Sequence, residues 1–236
     1  MDNKIIDRVN ALLAKAESTD HPAEQEAFFA KAQELIAAHA IASHLLGADR
    51  HDDTLGSEIV PISAPYVLQK ATLLQAIATA SGGTVLRSGS QRSGFTYQLI
   101  GRASARQNIL ALFASIQVAG VRAAYAADIP EWESARRFRS SFMFAFATRI
   151  GTRLREANAV ASDKARNEGG GATMAIVLRD AKREIDNWIR NEYGRTGKVT
   201  TRSSSRSGRE AGDAAGRSAN IGGHSVSGGG RMALGA

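Results

Sequence analysis

The chain of 236 residues contains no cysteine. That excludes a disulfide, a thiolate nucleophile and a cysteine-ligated metal, and it fits a reducing cytoplasm. Only five histidines occur, all in the N-terminal segment, a following linker or the C-terminal tail. Neither G-x-S-x-G, H-E-x-x-H nor a paired-carboxylate motif is present, and the glycine spacing of a nucleotide loop is missing. An enzyme, of hydrolase type for example, is therefore less favoured than a binding protein, and no cofactor is expected. No run approaches the roughly 18 apolar residues of a membrane span. The start, MDNKIIDRVN, lacks the apolar stretch of a signal peptide. These absences predict a cytoplasmic protein without a membrane partner.

What is present is apolar material, 43% of the chain, enough to bury a sizeable core. The net charge of +7 hides a split: residues 1–58 carry five Lys/Arg against eleven Asp/Glu, and the remainder carries 25 against 12. Asymmetry of that kind points to an anionic partner for the basic part, or to the two parts facing each other.

The first forty residues read as two helices. Ile5, Val9, Leu12 and Ala16 form one helical stripe, with Ile6 and Leu13 beside it. Ser18-Thr19-Asp20-His21-Pro22 breaks the pattern, with Asp20 or His21 placed to cap and Pro22 suited to a first turn. A second stripe follows through Phe28, Ala32, Leu35, Ile36 and His39. So short a connection predicts an antiparallel hairpin over residues 1–46.

The pattern KI-x-x-x-x-x-LLA-x-AE, then DHP-x-x-E, then AF-x-AKAQEL-x-A-x-H resembles the bacterial and phage family called domain of unknown function 2786. Fragments at Phe138 to Phe142 and Gly212 to Gly216 resemble the companion domain that often follows it. The resemblance covers about forty residues well and brings no activity with it. It implies the hairpin, and it makes an accessory protein of a phage or mobile element an expectation. The acidic hairpin, with Phe28 and Phe29 if exposed, is also a surface for a protein partner.

Residues 47–57 read as a solvated acidic linker. An α/β-helical domain is expected over residues 58–194. It opens with a strand at 58–62, put at an edge by Pro61, and a helix from Pro65 ending at Gly82-Gly83. Strands at 84–87 and 95–100 flank the loop SGSQRSG. A capping box at Ser104 to Gln107 then opens a long helix with Ile109, Leu112, Phe113, Ile116 and Gly120 inward. The expected architecture is α+β, with a small mixed sheet and long helices. Arg102 and Arg106 at the helix start are a candidate anion pocket.

On the helix after Pro130, Phe138, Phe142, Phe146, Ile150 and Leu154 recur every four residues, with Arg139, Arg149 and Arg153 in the same half. Those arginines either snorkel, pair with Glu24, Glu26 or Glu34 of the hairpin, or meet a phosphate. A last helix carries Met174, Val177, Leu178, Ala181, Ile185, Trp188 and Ile189, and Gly194 stops it. Residues 195–236, rich in Gly, Ser and Arg, read as a flexible basic tail, either a nonspecific nucleic-acid arm or a solubilising segment. The candidate nucleic-acid contacts are Arg136, Arg137, Arg139, Arg149, Arg153, Arg102, Arg106, Arg202, Arg206 and Arg209.

Overall fold

The computed structural model describes residues 3–19, 21, 23–24, 27–28, 31, 53–90, 92–167, 174–197, 199–200 and 203–221. Among them the elements run α1 (Asn3–Ser18), β1 (Leu55–Ile59), α2 (Val67–Ala80), β2 (Gly83–Ser90), β3 (Gly94–Arg102), α3 (Ala103–Ala126), α4 (Ala135–Asn167), α5 (Met174–Tyr193) and α6 (Arg206–Ser218). The α+β class holds. Most of the second helix of the expected hairpin, most of the linker and residues 222–236 lie outside the described residues, though residues 23–24, 27–28 and 31 are described and helical.

The sheet has the order β1-β3-β2 and is antiparallel throughout, which corrects the expectation of a mixed sheet. Each strand neighbours β3 directly, so no parallel crossover is needed. β1 starts at Leu55, paired with Arg102, and ends at Ile59, paired with Gln98. Residues 55–57 therefore belong to the sheet. Pro61 lies beyond the strand, where its missing N–H removes nothing from the ladder. The β2–β3 ribbon is longer than the sequence pattern implied, because pairing continues through Ser88, Gly89 and Ser90 to Gly94.

One face of the sheet packs on α2 and α3, burying Leu99 with Leu73, Leu74, Ile77, Ile109, Phe113 and Ile116. α5 lies over the other face, where Ile100 and Ile185 are buried apart from the main core. α1 joins that core through Val9, Leu13 and Ala16, with Leu12 only half-buried. α3 is long and apolar enough to cross a membrane by length and composition. Its inward residues are core here: Ile109, Phe113, Ile116 and Gly120 are buried as the spacing predicts.

α4 is the helix on which the others meet. Phe138, Phe142, Phe146 and Ile150 are all fully buried, and the Phe142 and Phe146 rings stack with centroids 6.4 Å apart. α3 crosses it at Gly120, where a Cβ would lie 2.7 Å from the Phe146 ring. α2 crosses where a Cβ on Gly151 would stand 3.0 Å from Ala76.

α6 is the main departure from expectation. Residues 206–218 are helical and lie along α4, so the flexible-tail reading does not hold for them. Gly208 meets the Phe138 carbonyl, Gly212 the Phe142 carbonyl and Gly216 the Phe146 carbonyl. Both series rise together, so the two helices run parallel. A 13-residue helix is marginal alone, and each glycine costs it about 1 kcal/mol against alanine. Docking must offset that. It does so by letting the backbones touch, with Ala211, Ala215 and Ala219 packed on the core beside them. Ser205 caps the start by accepting from the Gly208 N–H at 2.8 Å, and Ser141 of α4 accepts from the N–H groups of Ser204 and Ser205.

Gly212→Ala should therefore lower stability by about 1–3 kcal/mol through overpacking against the Phe142 carbonyl. Gly197→Ala, where nothing lies within 4 Å of the new Cβ, is the control and should be neutral within about 0.5 kcal/mol. Urea titration of both variants checks this, and equal midpoints for the two would refute the close-contact account.

Candidate nucleic-acid interface

The arginines named from the sequence fall into two groups. The first is spent inside the fold. Arg149 donates through Nε to Asp213 Oδ1 at 2.5 Å, and Asp213 also takes Arg217 at 2.7 Å. The hydrogen bond from Arg149, then its charge and that of Arg217, hold the Asp213 carboxyl below its ordinary range. The same bond raises the Arg149 guanidinium. Arg153 donates through Nη1 to the carbonyls of Gly216 and Ala219, at 2.9 and 2.6 Å. It thus closes the C-terminal end of α6 with a positive charge at the negative end of the dipole. Arg139 places its Cζ over the Tyr125 ring, 4.0 Å from the ring centre.

Pairing was one of the three readings for these side chains, but the observed partner of Arg149 is α6 and not the hairpin. Of the hairpin acids, Glu24 accepts from the Thr19 hydroxyl, and Glu26 and Glu34 lie outside the described residues. Phe28 packs against the core, with the Lys15 ammonium 5.9 Å from its ring centre. It is not the exposed anchor that a protein-docking hairpin called for, and Phe29 lies outside the described residues.

Arg102 and Arg106 are also engaged. Arg102 grips Glu184 of α5 with two bonds, at 3.1 and 2.8 Å, and donates to the Asp53 carbonyl. Arg106 donates to the Gly101 carbonyl at 2.6 Å and stands 3.9 Å from Glu58. The start of α3 has no capping box. Its helix begins at Ala103, and the Asp53 carboxylate accepts from the Ser104 N–H at 2.9 Å. That bond leads the causes that lower the Asp53 pKa. An internal carboxylate thus sits where an external anion was expected.

The second group faces solvent. Arg136 and Arg137 at the start of α4, with Arg206 and Arg209 at the start of α6, are exposed. Because the helices are parallel and in register, all four come to one end of the molecule. Arg206 pairs with Glu210 across one turn and Arg137 stands 3.6 Å from Glu133. Arg209 donates to the Ser203 carbonyl. Arg202 lies outside the described residues. Trp132, in the turn that enters α4, is 77% exposed, and no sequence signal had separated it from a core tryptophan. Glu133 beside it is buried and accepts from the Ser207 hydroxyl. That bond, then one from Ser205, and the Arg137 charge keep its pKa low.

These features define an α+β protein that keeps part of its arginine inside and presents four others, Arg136, Arg137, Arg206 and Arg209, at one end. Residues 4–43 match the model of a family described as Protein of unknown function (DUF2786), the family that the hairpin residues resemble. The match ends before β1. Neither the curated proteins nor the solved structures give a match to the chain.

Asp213 and Glu133 both join α6 to the rest of the chain, and both bind protons more weakly folded than unfolded. Their contribution is complete above the ordinary values of 3.8 and 4.5 and is lost as pH falls through the lowered ones. Asp213→Asn should therefore flatten the loss of stability seen on acidification from about pH 5 to about pH 3. Denaturant midpoints across that range check it, and an unchanged acid limb rules it out.

Proposed function

We propose that the protein binds nucleic acid, without catalysis, through the end of the molecule where α4 and α6 both begin. The observation that carries this reading is Trp132, an indole 77% exposed, just ahead of Arg136 and Arg137 and on the end shared with Arg206 and Arg209. Exposed aromatic rings beside arginines are the means by which proteins hold single strands: bases stack on the ring while guanidinium groups follow the backbone. Two parallel helices add the positive ends of their dipoles to that end. Of the acids there, Glu131 is exposed beside Trp132 and is the one that faces the same surface. Glu133 is buried, and the Arg206–Glu210 pair is 85% and 65% exposed, so it holds Arg206 weakly and lets it turn to a phosphate. This reading locates contact on the basic C-terminal part and moves it from Arg149 and Arg153 to the exposed arginines.

Fluorescence anisotropy of a labelled single-stranded oligonucleotide over a salt series tests it. Each of Arg136, Arg137, Arg206 and Arg209 replaced by alanine should reduce the salt slope by about one where it meets a phosphate. Trp132→Ala should weaken binding by about 1–3 kcal/mol, with wild-type tryptophan emission quenched on binding. No binding by wild-type protein at low salt would overturn the proposal.

A further inference from the structure

The chain has no Asp or Glu between Glu58 and Asp128, although Lys70, Arg87, Arg92, Arg102, Arg106 and Arg122 fall within that stretch. Glu58 is therefore the one carboxylate within the sheet, and β2, β3 and the two flanking helices take negative charge from outside themselves. Glu58 stands by Arg106, and Glu184 holds Arg102. At the far end of the β2–β3 ribbon no carboxylate is available from either strand.

That end is built to project. β1 stops at Ile59, opposite Gln98, but β2 and β3 stay paired from Arg87↔Tyr97 to Ser90↔Gly94. Residues 88–90 and 92–96 are exposed, so this length of ribbon buries little and adds little to the core. Its side chains are small or polar apart from Arg87, Arg92, Phe95 and Tyr97. Gly89, at φ 95°, lies against the Gly94 carbonyl where a Cβ would overlap it, which keeps the ribbon thin. The Arg87 Cζ lies over the Phe95 ring, 4.3 Å from its centre. That cation–π contact holds the guanidinium at the ribbon surface, where its N–H groups can meet an oxyanion. Arg92 stands exposed in the turn.

We infer that the β2–β3 ribbon is a second nucleic-acid contact, in which Arg87, held by Phe95, and Arg92 meet backbone phosphates. The occupant is set by charge complementarity. A thin two-stranded ribbon with two arginines and no acid suits a polyphosphate, and such ribbons are of a width that nucleic-acid grooves admit. The inference rests on the nucleic-acid reading above but uses a different surface, so the two can fail separately.

The test compares wild-type full chain with Arg87→Ala/Arg92→Ala and with Arg92→Glu alone, which changes only the exposed turn. Each is titrated against the labelled oligonucleotide and against anionic phosphatidylserine vesicles, with circular dichroism melts as the folding control. The double variant should melt like wild type, bind the oligonucleotide about tenfold or more weakly at low salt, and lose about two units of salt slope. Arg92→Glu should weaken binding further than loss of one contact, through repulsion. If wild type binds and both variants bind equally well, the ribbon inference is overturned and the α4–α6 end stands. If the variants lose only vesicle binding, the surface serves a membrane and the inference is again overturned. If wild type binds no oligonucleotide, both proposals fall together.

Discussion

Helix α4 has neighbours on three sides, and each comes close through residues with almost no side chain. α3 arrives at Gly120, α2 at Ala76 against Gly151, and α6 at Gly208, Gly212 and Gly216. This close approach decides what the long side chains of α4 can do. With α6 against the carbonyls of Phe138, Phe142 and Phe146, Arg149 and Arg153 have no course except along the α6 surface, and there they find Asp213 and the last carbonyls of the helix. The phenylalanine row supplies the apolar burial, at about 1.5–3 kcal/mol for each ring. The arginines then fix the register of a helix that has little hydrophobic area of its own. Glycine spacing and arginine placement are one device.

Charge distribution follows from the same economy. A span of chain without carboxylates has to borrow them across the fold, and each loan joins two parts. Asp53 reaches the start of α3 from 51 residues away, Glu184 ties α5 to the end of β3, and Asp213 ties α6 to α4. The acids used this way are bound to particular positive groups. Along the projecting ribbon neither strand brings a carboxylate, while at the shared start of α4 and α6 the acids present, Glu133 and Glu210, pair with Arg137 and Arg206.

Much of the core was legible, for a reason that the residues make plain. Phe138, Phe142 and Phe146, the α3 stripe, and the stops at Gly82 and Gly194 are local signals. A helix periodicity or a glycine at φ 78° or 69° needs no distant partner to be read. α6 was not legible as a helix, since its stripe is glycine and alanine, the composition of a tail. The signal was its period of four. Gly212 to Gly216 resembles a family fragment, but the third member, Gly208, is what makes it a packing face. The Asp53 cap and the Arg149–Asp213 pair join residues 51 and 64 apart, and no local pattern encodes such distances. At the candidate interface, the individual arginines were named, while their sorting into internal and external ones depends on which side of α4 is covered by α6.

That sorting constrains how the exposed group arose. Had α4 and α6 been antiparallel, Arg206 and Arg209 would stand near Arg149 and Arg153, and the start of α4 would face the partially negative C-terminal carbonyls of α6. Parallel packing places Arg136, Arg137, Arg206 and Arg209 together, and adds two helix N-termini of like sign. Such an arrangement is repulsive within itself. Glu133, buried beneath it with Ser205 and Ser207 hydrogen-bonded to its carboxylate, relieves part of the repulsion from below without covering the surface. Four exposed arginines and an exposed indole thus come together at one end over a buried carboxylate, so that charge and a stacking ring are offered side by side.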